Sequence, residues 1–395
     1  MQYPFTEEQL ALAELTRDFM EREVAPVAAE LDAKTNQGDC YPKEQINKAS
    51  HLGLRTLAVP KEYGGAGTDE LTRALVLWTG AQTELGVIKC LSQCWKVTNA
   101  IARLGTDDQK DRWLKMFVED HDCVVSILST EPETGSDNIY RQPDPNLGLK
   151  TTAVKDGDWY VINGAKRFNS LVSYSKIMLM YARTDPNAPL SEGATCFILR
   201  GDQEGIRYGR IEDKMGWRLY PNGDSFYENV RVHKDDILGE VNGAYASIEG
   251  IINRGNAELI ACSTGLCRAL FNVCHQHAKE RIQGGKPIIE HPTVASLLAD
   301  MLTSIEVAEQ FMWRVAWGID NDPTYNSRFT VSSKLISDRL GMHIVPIALD
   351  ILGGVGIMKD FPSEKLVRDI ITPWHGAGTD SLALLRIAQT LDLPA

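Results

Sequence analysis

The chain has 395 residues, a formal net charge of -12, 43% hydrophobic residues and 24% charged ones. That length bounds two or three domains sharing a large core, and the acidity argues against a nucleic-acid binder while leaving room for an anionic ligand held by local basic residues. No run approaches the ~20 apolar residues that a membrane span requires, and the acidic start Met1 to Glu8 lacks the charged-then-apolar layout of a signal peptide.

Residues 1–122 read as helical. Leu10, Leu12, Leu15, Phe19 and Met20 recur at helical spacing over Phe5 to Arg22, and Thr6 with Gln9 forms a candidate capping box. Pro60 to Gly65 interrupts the pattern, Thr68 to Leu104 resumes it, and Asp107 to Phe117 forms a short amphipathic helix. Residues 123–236 change to short alternating runs. Val124 to Leu128 reads as a buried strand, followed by Asp158 to Asn163, Ile177 to Ala182, Ala194 to Leu199 and Ser225 to Val232, with turns at Lys155-Asp156-Gly157 and Asn222-Gly223-Asp224. The pattern predicts a small antiparallel β domain. Residues 237–395 return to helix over Gly243 to Gln283, Pro292 to Ile319, Tyr325 to Leu352 and Thr379 to Leu391, the outline of an antiparallel four-helix bundle. The fold class is therefore α+β. Eight cysteines (Cys40, Cys90, Cys94, Cys123, Cys196, Cys262, Cys267 and Cys274) show no scaffold spacing and read as reduced core thiols, so a cytoplasmic protein is expected. Cys90 and Cys94 lie one turn apart without a second ligand pair, so no metal site is expected.

Ser129 to Asp137, Ser-Thr-Glu-Pro-Glu-Thr-Gly-Ser-Asp, follows the first strand as a turn rich in hydroxyls and backbone donors. It resembles the T-E-P-x-x-G-S-D turn of the acyl-CoA dehydrogenase family. Further landmarks follow the family's order. Val59 to Gly65 resembles V-P-E-x-Y-G-G, Gly105 to Lys110 resembles G-T-x-x-Q-K, and Asn163 to Ser170 resembles N-G-x-K-x-W-I-T. Lys214 to Arg218 resembles K-M-G-x-R, Leu352 to Gly356 with Arg368-Asp369 resembles L-G-G-x-G…R-D, and Gly376 to Thr379 resembles G-A-G-T. The resemblance covers nearly the whole chain.

It implies FAD, with Ser129, Thr130 and Ser136 at the flavin edge or beside its ligand. Phe168 stands where the family has a Trp against the isoalloxazine, and Ser170 where it has a Thr near flavin N5. Arg281 matches the Arg that reaches the FAD pyrophosphate of a neighbouring subunit, a task suited to a forked guanidinium. Gly353 and Gly354 admit close backbone approach, and Thr379 opens the last helix towards a phosphate or the flavin. Gly284 and Asp350 depart from the family's usual Phe and Gln. An acyl-CoA substrate, an electron-transfer flavoprotein as partner, and a homo-oligomer (dimer or tetramer) are likewise implied.

The proton acceptor departs most. α,β-Dehydrogenation needs a base within reach of the α-proton. The usual Glu is replaced by Ala377, and the Glu-Arg pair of the isovaleryl-CoA dehydrogenase branch by Gly255-Asn256. Glu258 lies one turn beyond the vacancy, His375 and Asp380 flank the last motif, and Arg254 precedes Gly255. Glu258, His375 and Asp380 are the candidates for proton transfer. A longer stretch between Asp137 and Gly157 carries Arg141, a candidate phosphate contact. Three readings are open: an FAD-dependent oxidoreductase of a bulky, cyclic or branched acyl-CoA; the same scaffold used for 1,4-dehydrogenation, enoyl-CoA reduction, elimination or oxygenation; and a non-catalytic subunit of a mixed oligomer.

Overall fold

A computed structural model describes residues 3–138, 142–376 and 378–391, with the side chains of 246–250, 252, 253 and 375 left aside. Arg141 and Ala377 therefore lie outside the described residues, as does the His375 side chain.

The N-terminal part holds α1 (Glu7–Phe19), α2 (Ala25–Asp32), α3 (Lys43–His51), α4 (Glu70–Ala81), α5 (Leu85–Leu104), α6 (Asp107–Gln109) and α7 (Lys115–Glu119). The capping box forms as expected, with Thr6 and Gln9 each satisfying the other's backbone donor. The helical pattern over Thr68 to Leu104 is divided into two helices. Asp69 caps α4, and the Glu84 side chain caps α5 by accepting from Gly86 N at 2.8 Å. Glu84 is held there by Lys365, 2.7 Å away, so a tertiary ion pair fixes the break.

The strands are β1 (Val124–Leu128), β2 (Thr152–Asp156), β3 (Trp159–Ser170), β4 (Ser175–Arg183), β5 (Ala194–Arg200), β6 (Ile206–Ile211) and β7 (Asn222–His233), with a short α8 (Leu190–Gly193) before β5. They form one 7-stranded sheet in the order β1-β4-β2-β3-β7-β6, with β5 also on β4. Neighbours pair antiparallel, except that β4 runs parallel to β1 and to the start of β2. The turn expected at Asn222-Gly223 is instead the start of β7. Asn222 pairs with Ser170, and Gly223 with both Asn169 and Ile211. Partners on both sides override the local turn preference.

The C-terminal part begins with α9 (Ala244–Glu280), followed by a two-residue hairpin of β8 (Ile282–Gln283) and β9 (Lys286–Pro287). Then come α10 (Pro292–Asn321), α11 (Arg328–Leu352), α12 (Pro362–Ile371) and α13 (Asp380–Ala388). α9 is the central helix, packing on α4, α5, α10, α11 and α12. Helices over Arg254–Glu280 and Arg328–Ile357 are long and apolar enough by composition to cross a membrane, which corrects the expectation that nothing approaches that limit; 78% of the first one's apolar window is buried inside the fold. The burial identifies it as the bundle's core helix. All eight cysteines are buried free thiols.

Candidate active site

The turn after β1 is rigid because its own polar groups close on each other. Glu131 and Thr134 exchange backbone hydrogen bonds. The Asn138 amide donates to Ser129 O at 3.2 Å and to Thr134 Oγ1 at 3.0 Å, and Asp137 accepts from Gly135 N at 2.7 Å. Glu131 anchors the turn from beneath. Its carboxylate takes Lys166 Nζ at 2.8 Å and the backbone N–H groups of Lys150 and Thr151. Burial pushes the Glu131 carboxyl up, but Lys166 and these donors outweigh it and hold the group below its ordinary range. Lys166 also donates to Tyr181 O at 2.6 Å. On this frame, Thr130 and Ser136 face a cavity of about 690 Å³.

β3 supplies the next wall. Its register against β7 shifts between Lys166 and Asn169, and within that bulge Phe168 adopts φ 57°. A left-handed Phe is strained. The strain is held by Asn222, whose amide donates to Phe168 O at 2.7 Å and to Ser170 Oγ at 3.1 Å. Phe168 stays 51% exposed, its ring facing the cavity with the Arg167 guanidinium 4.6 Å from its centroid. Asn222 is in turn fixed by Lys214, whose Nζ donates to Asn222 Oδ1 and to Tyr220 O, both at 2.6 Å. Burial pushes the Lys214 ammonium down to about 7. Trp217, another left-handed residue, is pinned by Asp369, which accepts its backbone N–H at 2.6 Å. The K-M-G-x-R and R-D motifs thus meet to place one cavity wall.

The floor comes from α5 and α9. Lys89, Gln93 and Lys96 on α5 line the cavity opposite Gly255 and Leu259 of α9. Glu258 lies behind them, 2% exposed along its side chain. It accepts from Ser92 Oγ at 2.5 Å, with Lys96 Nζ at 3.7 Å and Lys89 Nζ at 4.0 Å. Burial pushes the Glu258 carboxyl up against the pull of both lysines. Arg254, the neighbour of the vacant position, is engaged elsewhere. It pairs with Glu70 at 2.9 Å and Asp320 at 2.8 Å.

The cavity therefore gathers Thr130, Ser136, Phe168 and Ser170 with Gly255, Gly376 and Gly378. The other sequence candidates sit elsewhere. Ser129 is not among the cavity-lining residues, and its backbone N–H donates to Asn169 Oδ1 at 3.3 Å. Thr379 caps α13 by accepting from Leu382 N at 3.2 Å. Asp380 lies against Asp338, whose carboxyl burial pushes up to about 7, with Lys334 opposing and Asp380 reinforcing that rise. Arg281 is exposed at the end of α9, and Gly353 and Gly354 end α11 in open space. Gly284 takes φ 60° in the tight β8–β9 hairpin beside His291, so its glycine serves the turn rather than opening space near the cavity.

Lys89, Gln93, Lys96, Lys214, Trp217 and Asn222 were not singled out as site residues from sequence. One signal was available. Lys89, Gln93 and Lys96 form a polar stripe at i, i+4, i+7 on a helix otherwise buried nearly throughout. A polar stripe facing inward needs either partners or a ligand.

A flavin ring suits these walls. Thr130 and Ser136 present hydroxyls that make no hydrogen bond to any described side chain, and Phe168 and Trp217 supply flat apolar faces. The polar edge and the planar body of such a ring each find a matching surface.

The chain belongs to the acyl-CoA dehydrogenase family. It matches the family's N-terminal domain over residues 6–120, its middle domain over 126–230 and its C-terminal domain over 242–391. It is 32% identical to a 3-(aryl)acrylate reductase of Clostridium sporogenes, covering 98% of this chain and 99% of that protein. It is 29% identical to a cyclohex-1-ene-1-carbonyl-CoA dehydrogenase of Geobacter metallireducens, covering 98% and 99%. The butyryl-CoA dehydrogenase structure from Megasphaera elsdenii superimposes with a TM-score of 0.90 at 27% identity over 99% of this chain and 100% of that one. The protein is accordingly a flavoprotein oxidoreductase acting on CH–CH groups, its cofactor is FAD, and the expected three-part architecture is the family's.

Proposed function

We propose that this protein transfers hydride between FAD and the Cα–Cβ bond of an acyl-CoA thioester whose acyl group is cyclic, branched or otherwise bulky. FAD when bound supplies the hydride acceptor or donor. Thr130, Ser136 and Ser170 hold its edge or the thioester carbonyl, while Phe168 and Trp217 exclude water from the ring faces. The observation that carries the substrate size is Gly255. A Cβ there would meet only the Lys96 stem, at 3.7 Å, so no side chain of α9 itself narrows the floor at this point. The names of two relatives agree with a ring-bearing acyl group, one acting on arylacrylates and one on a cyclohexenyl thioester.

Anaerobic titration with a panel of acyl-CoAs tests the reading. Flavin bands that bleach with saturated cyclic or aryl-bearing thioesters, and not with straight short chains, support it. Bound flavin that no thioester reduces, and that no enoyl thioester reoxidises, overturns it. A second direction, reduction of an unsaturated acyl group, is favoured by the two lysines on the floor, which can present a proton to Cα; reoxidation of the reduced protein by an arylacrylyl thioester checks it.

Arg281, Gly353 and Gly354 lie outside the chain's own cavity, as residues that complete a neighbour's FAD site would. We therefore read the working unit as a cytoplasmic homotetramer serviced by an electron-transfer flavoprotein. Sedimentation of the wild type, and FAD retention in Arg281→Ala, test that arrangement.

A further inference from the structure

The family reading leaves the proton step without its usual carboxylate, and the structure shows which side chain lies beside the Gly255 position. Gly255 removes a side chain from the floor, and among the described residues the one atom near its missing Cβ is Lys96 Cδ at 3.7 Å. The Lys96 stem lies against this position from α5. Its side chain is 11% exposed, and it borders the same cavity as Thr130, Phe168 and Ser170. Behind its Nζ stands Glu258 at 3.7 Å, itself oriented by Ser92. A lysine bordering the cavity with a carboxylate beside its amine forms a donor–partner arrangement suited to moving one proton.

We propose that the Lys96 amine is the proton-transferring group at Cα, with Glu258 as its positioning residue; this rests on the thioester reading above. In dehydrogenation the Cα–H bond breaks and its proton passes to the neutral Nζ. The electron pair left at Cα forms the C=C bond as the Cβ–H pair departs as hydride to the flavin. The substrate is oxidised by two electrons and the flavin reduced. In the reverse direction Lys96 ammonium gives its proton to Cα as hydride arrives at Cβ.

The surroundings tune the amine for both tasks. Burial first, then the like charge of Lys89, push the Lys96 ammonium down to about 8, while Glu258 and the Cys262 thiol on α9 oppose the fall. Glu258 is in turn influenced by Glu70 of α4. Such a group is divided between its charged and neutral forms near physiological pH, which favours general acid–base work.

A 3-thiaacyl-CoA tests the assignment without turnover, because it carries an acidic α-proton and no hydride at the β position. Loss of the α-proton against bound oxidised flavin is read as a long-wavelength charge-transfer band. The wild type is expected to develop the band with a midpoint near the Lys96 value of about 8. Lys96→Met is expected to bind the thioester, measured by calorimetry, without forming the band. Lys96→Arg, which keeps the charge and cannot deprotonate, is expected to behave likewise. In flavin-free protein, an NMR titration of the lysine Nζ resonance missing in Lys96→Arg should give the same midpoint. A band of unchanged midpoint in Lys96→Met overturns the proposal while leaving the thioester reading intact. Failure of the wild type to bind any acyl-CoA strikes the thioester reading instead. Should Lys96→Met lose its fold by circular dichroism, the Arg variant and the NMR midpoint decide.

Discussion

Two buried lysine–carboxylate groups, one under the flavin turn and one under the cavity, use the same chemistry to opposite ends. At the first, Lys166 and Glu131 meet at 2.8 Å with side chains 0% and 2% exposed, and every remaining polar atom of the pair finds a backbone partner. At the second, Lys96 and Lys89 stand 3.7 and 4.0 Å from Glu258 and both border the cavity. The saturated pair is a clamp with no donor to spare. The loose trio holds two cations against one anion and has protons to offer. Distance and satisfaction, more than residue type, separate a structural pair from a reactive one.

The largest effect expected from this contrast is at the clamp. Lys166→Met strands the Glu131 carboxylate in the interior and should cost about 3–5 kcal/mol of stability by chemical denaturation. A loss below about 1 kcal/mol, the scale of an exposed pair, breaks the comparison. Next comes Asn222→Ala, which frees Phe168 O and Ser170 Oγ; we expect about 1–3 kcal/mol and faster FAD loss on dialysis. Retention equal to wild type would mean the strained bulge holds itself.

A subtler effect concerns Lys214. Folding lowers its ammonium to about 7 by burial, so between about 7 and the ordinary lysine range the unfolded chain carries the extra proton. Its unfavourable contribution is fully present below about 7 and fades as pH rises through that window. The flavin-free protein should gain stability with rising pH there, and Lys214→Met should flatten the gain; identical slopes by urea denaturation contradict this. The smallest effect is at Lys89. Lys89→Met removes the like charge beside Lys96 and should raise the Lys96 midpoint with little change in melting temperature, whereas a lowered midpoint would assign the shift to another cause.

Much of the fold was legible because its signals are local. The capping residues Thr6 and Gln9, the apolar periodicity of α9 to α11, the alternation that opens β3 and the apolar runs of β4 and β5 are each set within their own segment. Features set by distant partners were not legible: Glu84 divides α4 from α5 with Lys365 beside it, and Asn222-Gly223 joins a strand rather than a turn because Ser170 and Ile211 flank it. Of the residues that line the cavity, Thr130, Ser136, Phe168 and Ser170 stand out through motif spacing; Glu258, which the one-turn offset from Gly255 singles out, lies behind the cavity floor. Lys96 does not stand out, because it lies against Gly255 from another helix. Only the polar stripe along α5 hints at it.

The most direct test is the rate of anaerobic flavin reduction by a saturated cyclic acyl-CoA, followed by stopped flow from about pH 6 to about pH 10, in wild type, Glu258→Gln and Lys89→Met. If the Lys96 amine moves the proton, the midpoint falls when Glu258 loses its charge and rises when Lys89 does. Midpoints that coincide in all three proteins would contradict the account.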